Sequence, residues 1–358
     1  MAVTVTDSAT TQVVTPDDID AAARRIGDVV RCTDLQVSER LSEQTGAHIL
    51  LKREDQQDVR SYKIRGAYNL MAQLNSDERS AGVVTASAGN HAQGVAFACR
   101  VLGINGRIYV PTNTPKQKRD RILAHGRNSV ELVVTGTNFD AAQTAARADA
   151  ARTGATMVPP FDHPDTMAGQ GTIAAEILAQ LDETPDAVVV PVGGGGLVGG
   201  LATYLAEYAP DCKIIAVEPT ACPSLTEGEF RYDHGDVAGL TPLMKMYTLG
   251  QDFVPDPIHS GGLRYHGMAP LVSHVKHLGL LDSMAVEQNV AFAAGVEFAK
   301  AEGIVPAPES THALAGAMAK AREHTGEAGT GPSIVIGLSG HGFLDLPAYE
   351  SFIRGEMG

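Results

Sequence analysis

Cysteine is scarce in this chain. Cys32, Cys99, Cys212 and Cys222 are the only four, and they form no C-x-x-C pair and no zinc-ligand spacing. That excludes a disulfide-stapled scaffold and points to a reducing, cytoplasmic compartment. Basic charge is lacking too. Against 42 acidic residues stand 28 Lys and Arg, a net charge of -14, which argues against nucleic acid or an anionic membrane as partner. No apolar run approaches the ~18–20 residues a membrane helix needs. Residues 1–15 are polar, with neither a basic flank nor an apolar core, so they read as a flexible tail and no signal peptide is expected.

What is present suits a soluble globular protein: 358 residues, 44% hydrophobic and 20% charged, room for two domains or one large one. Pro16 opens a helix running to about Ile26, and a second helix is expected near Val37–Gln44. From Ala47 onward short apolar strands alternate with helical patterns. The strands are Ile49–Leu51, Val83–Ala86, Ile108–Val110, Leu132–Val134, Ala187–Val192 and Ile214–Val217. Such alternation predicts an α/β fold with parallel sheets flanked by helices. Between Pro219 and Leu281 the pattern turns irregular, and two helices near Val286–Ala301 and Ser310–Glu323 precede a last strand, Ile334–Leu338.

Four places carry chemistry. Ser61-Tyr62-Lys63 heads a helical pattern with Ile64, Ala67, Tyr68, Met71 and Leu74 on one face. Ser61 is expected as its N-cap, which sets Lys63 in the first turn, where the positive end of the helix dipole lowers an amine's pKa. A neutral amine there suits Schiff-base chemistry; the plain alternative is a solvated lysine. Gly193–Gly196 joins a buried strand to a helix, so its backbone N–H groups can wrap a phosphate. The plain alternative is a hinge. A second one is dinucleotide binding, because Gly194, Gly196 and Gly199 satisfy G-x-G-x-x-G and Glu218 ends the next strand. Ser87-Ala88-Gly89-Asn90-His91 is another strand-to-helix turn, open to a substrate carboxylate or mere turn chemistry. Ser339 follows the last strand, where a serine is ordinarily an N-cap. His259, His266, His274 and His277 are joined by no Cys or carboxylate pattern, so no metal is expected.

An amine, a phosphate cradle, a carboxylate cradle and a hydroxyl together describe a pyridoxal 5'-phosphate site for an amino acid. Leu51–Leu70, Ser87–Gly94, Ala168–Thr172 and the glycine loop resemble the threonine/serine dehydratases, fold-type-II pyridoxal-phosphate enzymes, over roughly residues 20–219. The resemblance implies that Lys63 binds the cofactor and acts in catalysis, with Tyr62 against its ring. It also implies that Asn90 bonds the ring hydroxyl, that Gly193, Gly194, Gly195, Gly196 and Leu197 hold the phosphate, and that Ser87, Ala88, Gly89 and His91 take the substrate. It further implies a large cofactor-binding domain (1–74 and 155–358), a small mobile domain (75–154) and a homo-oligomer.

The rest of the chain has a different likeness. Ala221–Thr226, Pro242–Tyr247, Gly261–Pro270, Pro306–His312 and Leu338–Gly342 are similar to tryptophan synthase β-like proteins, which share the fold. That likeness puts Ser339 at the pyridine nitrogen and Glu309 beside the ring. Two departures stand out. The dehydratase Arg-Thr-Pro-Leu is Arg31-Cys32-Thr33-Asp34-Leu35 here, and Thr85 occupies the position, four before Gly89, where tryptophan synthase β chains carry a glutamate. The expected activity is conversion of L-threonine or L-serine to a 2-oxo acid and ammonia. The alternatives are β-replacement with serine and indole, a cofactor-binding but poorly active hybrid, and a dinucleotide-binding protein.

Overall fold

The computed structural model describes residues 14–236, 239, 241–323 and 331–357. As far as residue 13, the tail expected at the N-terminus lies outside them. In chain order the first six strands are β1 (Leu35–Val37), β2 (His48–Lys52), β3 (Val83–Ala86), β4 (Gly106–Val110), β5 (Val130–Val134) and β6 (Thr156–Met157). They are followed by β7 (Ala187–Pro191), β8 (Lys213–Pro219), β9 (Glu229–His234), β10 (Leu243–Thr248), β11 (Asp282–Val286) and β12 (Ser333–Gly337).

Two parallel sheets carry the fold. The larger has the order β1-β2-β12-β7-β8-β11, with only β1 antiparallel to its neighbour, and the smaller has the order β5-β4-β3-β6. Strands such as Val188–Val190 and Val335–Ile336 are apolar on both faces because helices cover both sides. One face packs under helices Pro16–Ile26, Pro164–Gln180 and Gly196–Tyr208, through Ile19, Ile173, Val198 and Leu201. The opposite face packs under helices Gln288–Glu302 and Pro308–Arg322, through Phe298, Leu314 and Met318.

The helix Lys63–Ala72 is enclosed almost all round. Ile64, Ala67, Tyr68 and Met71 join a cluster with Val95, Phe97 and Ala98 of helix Asn90–Leu102. Its opposite side meets helix Pro164–Gln180 so closely that a Cβ on Gly169 would lie 2.6 Å from the Arg65 carbonyl oxygen. Only glycine permits that approach, so Gly66 and Gly169 fix the depth at which Lys63 sits.

Three sequence expectations are corrected. Val37 belongs to β1 rather than to the following helix, which spans Glu39–Thr45 under a Ser38 cap. The region after Pro219 contains an antiparallel β9–β10 hairpin and a helix, Pro270–His277. Val286 closes β11, and the helix assigned to it begins at Gln288.

Candidate active site

Parallel strands release their chains at the same end, and the site lies beyond those carboxyl ends. From β12 the chain runs through Ser339 to Gly342 and is stitched to the segment before Lys63. Tyr62 N–H donates to the Ser339 carbonyl at 3.2 Å, and His341 N–H donates to the Arg60 carbonyl at 3.2 Å. On its other side Ala307 N–H donates to the Gly340 carbonyl at 2.9 Å. The Asn90 amide reaches the same place, since a Cβ on Gly340 would lie 3.3 Å from Asn90 Nδ2. Residues from distant stretches of the chain therefore meet in one place.

Lys63 is the first residue of its helix, but Ser61 is not its N-cap. Tyr62 holds that position in helical conformation with no side-chain cap, and the buried Ser61 hydroxyl has no hydrogen-bond partner. The lysine amine donates to the Pro160 carbonyl at 3.0 Å and lies 5.0 Å from the centroid of the Tyr62 ring. Burial pushes its pKa down to about 8, against the opposing pull of the Glu309 carboxylate. Desolvation, rather than the helix dipole, is thus the main cause. Glu309 itself is pushed up, by burial first and then by Asp345, although its carboxylate accepts the Gly262 N–H at 3.0 Å. His91 is driven down to about 3 by burial and then by Lys63; its Nε2 contacts the Val158 carbonyl at 2.9 Å and its Nδ1 is unpartnered.

The glycine loop is linked to this amine through neighbouring residues, because the Pro160 carbonyl accepts from the amine and Phe161 packs on the loop. Phe161 and Tyr265 pack edge to face at 5.0 Å. A Cβ on Gly194 would overlap the Phe161 ring, and one on Gly193 would overlap the Gly262 carbonyl beside Tyr265. Gly195 has φ +96°, and the helix Gly196–Tyr208 starts directly after it, with Leu197 buried in its first turn. The loop therefore presents bare backbone at a helix N-terminus, the geometry that holds a phosphate. Gly194→Val is expected to lower affinity for pyridoxal phosphate at least about tenfold, since a branched side chain fills the cradle. Equilibrium dialysis against the cofactor reads this directly; unchanged affinity means the loop binds something else.

Sequence reasoning listened to Lys63, Tyr62, Asn90, the glycine loop, Glu309 and Ser339, and these do converge. Gly89 and His91 flank Asn90, whereas Ser87 spends its hydroxyl on the Gly89 N–H at 3.3 Å and Ala88 packs beside the Ala92 and Ile108 cluster. Glu218 does not face the glycine loop. Its carboxylate accepts from Ser224 Oγ, the N–H groups of Leu225 and Thr226, and Thr226 Oγ1, which leaves no acid for a ribose and removes the basis of the dinucleotide reading. Phe161 and Tyr265 were missed; the run Pro159-Pro160-Phe161 just before a helix was the signal for the first, and the second stood unremarked within Gly261–Pro270.

Arg65 was missed as well. Fully buried two residues after Lys63, it donates twice to Glu54 at 2.7 and 2.8 Å and twice to Glu176 at 2.7 and 2.8 Å. Lys52 joins at 2.6 Å from Glu176. Burial, the largest single cause, would raise the Glu54 pKa, but Arg65, Lys52 and Thr33 together outweigh it and the net shift is downward. A carboxylate lowered on folding contributes stability that is lost as pH falls through its folded value. Arg65→Met should cost about 3–5 kcal/mol in denaturant unfolding, because Glu54 keeps a buried charge without its main partner. Adding Glu54→Gln should return part of that loss.

The orphaned Ser61 and His91 atoms, the amine titrating at about 8 and the Cβ-free cradle fit a phosphorylated pyridine aldehyde. Comparison with known proteins agrees. Residues 26–340 match the family described as pyridoxal-phosphate dependent enzyme, and the chain belongs to that family. Its cofactor is pyridoxal phosphate. A biosynthetic L-threonine dehydratase of Mycobacterium tuberculosis is 59% identical over 208 residues, 58% of this chain and 48% of that protein. Tryptophan synthase beta chain 2 of Aquifex aeolicus is 50% identical over 198 residues, 52% of this chain and 45% of that protein. The chain thus spans about half the length of these relatives. The processed form of threonine deaminase isoform 2 from Solanum lycopersicum has a TM-score of 0.79 at 32% identity, covering 98% of this chain and 99% of that one.

Proposed function

We propose that this chain is a pyridoxal-phosphate dependent ammonia-lyase that converts L-threonine or L-serine to a 2-oxo acid and ammonia. The observation that carries the reading is Lys63, an enclosed amine brought down to about 8 that donates to the Pro160 carbonyl, next to the Phe161 ring packed on the glycine loop. The similarity to threonine dehydratase and threonine deaminase supplies the reaction class. Bound pyridoxal phosphate supplies an electron sink for a carbanion at the substrate Cα. Gly193–Leu197 would hold its phosphate, Tyr62 and Asn90 its ring and ring hydroxyl, and Ser339 its nitrogen, with Glu309 alongside. Lys63 would hold the cofactor and, as a free amine, would take the substrate α-proton. The backbone N–H groups of Ala88, Asn90 and His91 would orient the substrate carboxylate, since that of Ser87 donates to the Tyr109 carbonyl and that of Gly89 to Ser87 Oγ. The β-hydroxyl would leave as water by taking up the proton that Lys63 has gained, and hydrolysis would free ammonia and the 2-oxo acid.

β-Replacement with indole is the second reading, favoured by the likeness to tryptophan synthase beta chain 2. Incubation with L-serine, with and without indole, separates the two. Pyruvate in both samples supports the lyase, and tryptophan as the main product overturns it. The same proposal includes a small mobile unit over residues 75–154, supported by the separate sheet β5-β4-β3-β6, whose strands β3, β4 and β5 fall within those bounds. It also includes a cytoplasmic homo-oligomer; the four free cysteines suit that compartment.

A further inference from the structure

Gly262, in the irregular region after β10, is wedged between a helix and the glycine loop. Glu309 lies in the first turn of helix Pro308–Arg322, and its Oε1 accepts the Gly262 N–H at 3.0 Å. A Cβ on Gly262 would lie 2.9 Å from that same oxygen and 3.3 Å from Glu309 Cγ, so a side chain there would force the pair apart. The other side of Gly262 meets the loop. Its carbonyl oxygen overlaps the place that a Cβ on Gly193 would take, and the Leu263 Cα would be 3.0 Å from that Cβ. Gly262 is thus held between a carboxylate and the first glycine of the proposed cradle.

The neighbours of Gly262 extend the contact. Ser260 is completely buried, and its Oγ donates at 3.1 Å to the carbonyl of Pro308, the residue before Glu309. Tyr265 packs edge to face on Phe161, and its ring edge would stand 3.1 Å from a Cβ on Gly193. At the far end Ala269 N–H donates to the Gly194 carbonyl at 3.2 Å, and Met268 Sδ would lie 2.8 Å from a Cβ on Gly195. Residues 260–269 therefore run as a strap along Gly193–Gly195, tied to the helix at one end and to the loop at the other. The helix is itself fixed in the core by Leu314 and Met318. Hydrogen bonds to a carboxylate are stronger than those between neutral groups, so the Glu309 tie is the firmer one.

We infer that Glu309 is a positioning residue for the cofactor phosphate: it holds Gly262 and the strap against the glycine loop, and so fixes the shape of the cradle. This rests on the reading that Gly193–Leu197 hold the phosphate. It goes beyond the place beside the ring that the likeness to tryptophan synthase β-like proteins implies, because Oε1 is engaged by the strap. An acceptor oxygen at the right reach is then what counts, rather than a charge. Glutamine keeps that oxygen at the same reach, whereas aspartate keeps the charge on a shorter arm.

The test uses the full chain with pyridoxal phosphate and, separately, with pyridoxal, which lacks the phosphate. Dissociation constants, the phosphorus NMR signal of the bound cofactor, its visible absorbance and the thermal midpoint are measured. The set is the unmodified protein, Glu309→Ala, Glu309→Asp and Glu309→Gln. Glu309→Ala and Glu309→Asp should weaken binding of pyridoxal phosphate about fivefold, the worth of one hydrogen bond, and move the phosphorus signal. Neither should change the affinity for pyridoxal or the visible absorbance. Glu309→Gln should stay close to the unmodified protein in every reading. Gly262→Ala should match Glu309→Ala, and the double variant should lose less than the sum, because both act on one contact. If Glu309→Ala does not fold, Glu309→Asp against Glu309→Gln carries the same comparison. Unchanged binding in both Glu309→Ala and Glu309→Asp, equal losses for pyridoxal phosphate and pyridoxal, or an absorbance change with an unmoved phosphorus signal overturns the proposal. So does a Glu309→Gln protein that behaves as Glu309→Ala. An unchanged affinity in Gly194→Val instead removes the premise that the loop holds the phosphate.

Discussion

Lys63→Ala is expected to abolish covalent cofactor attachment and to lower 2-oxo acid formation by about 10²–10⁴-fold or more, because one amine both holds the cofactor and moves the α-proton. Its environment gives the expectation a pH signature. Burial brings the amine down to about 8, so attachment of free pyridoxal phosphate to the apoprotein should accelerate as pH rises through that value. An unperturbed lysine would show the rise near 10.4. Alanine at 63 leaves the Arg65 ion pairs and the helix interior untouched, and the variant should unfold at nearly the same denaturant concentration. Visible absorbance read beside a 2-oxo acid assay checks both effects. A variant that keeps the cofactor signal and the turnover would mean that another lysine carries the chemistry.

The second large effect concerns the fate of serine when indole is present. Thr85 is 1% exposed in β3, and its hydroxyl donates to the Val158 carbonyl at 2.9 Å. It is neither a base nor free to help an incoming nucleophile. General acid–base help of that kind is typically worth ~10²–10⁴-fold. Without it, hydrolysis to pyruvate should outrun addition of indole, and tryptophan should be a trace product. Thr85→Glu should raise the tryptophan share, while lowering stability because it sets a carboxylate against the Val158 carbonyl. Chromatography of the products from serine and indole reads both variants side by side. Equal tryptophan yields before and after the change would show that position 85 does not set the outcome.

Much of the fold was legible because parallel strands buried on both faces announce themselves as short Val and Ile runs. Val83–Ala86 is a strand with the very bounds the sequence suggested. β1 was not legible: three residues carry no periodicity, and only pairing with β2 makes Leu35–Val37 a strand. The β9–β10 hairpin was hidden for a related reason. Its strands mix charged and apolar side chains, including the exposed Tyr232 and Leu243, so no clean alternation survives. At the site, motifs pointed to Lys63 and the glycine loop, because a lysine heading a helix and four glycines after a buried strand are unusual. Groups that act through burial were silent. Arg65 reads as an ordinary charged helix residue until Glu54 and Glu176 are seen around it. The Lys63 shift was expected for a helix-dipole reason, and burial turned out to be the larger cause.

The most direct measurement incubates the purified, cofactor-loaded protein with L-threonine and follows ammonia and 2-oxo acid together. The account predicts that both appear at one equivalent per threonine consumed, and that Lys63→Ala yields neither. Bound cofactor with no product, or ammonia without its matching 2-oxo acid, would contradict the proposed lyase.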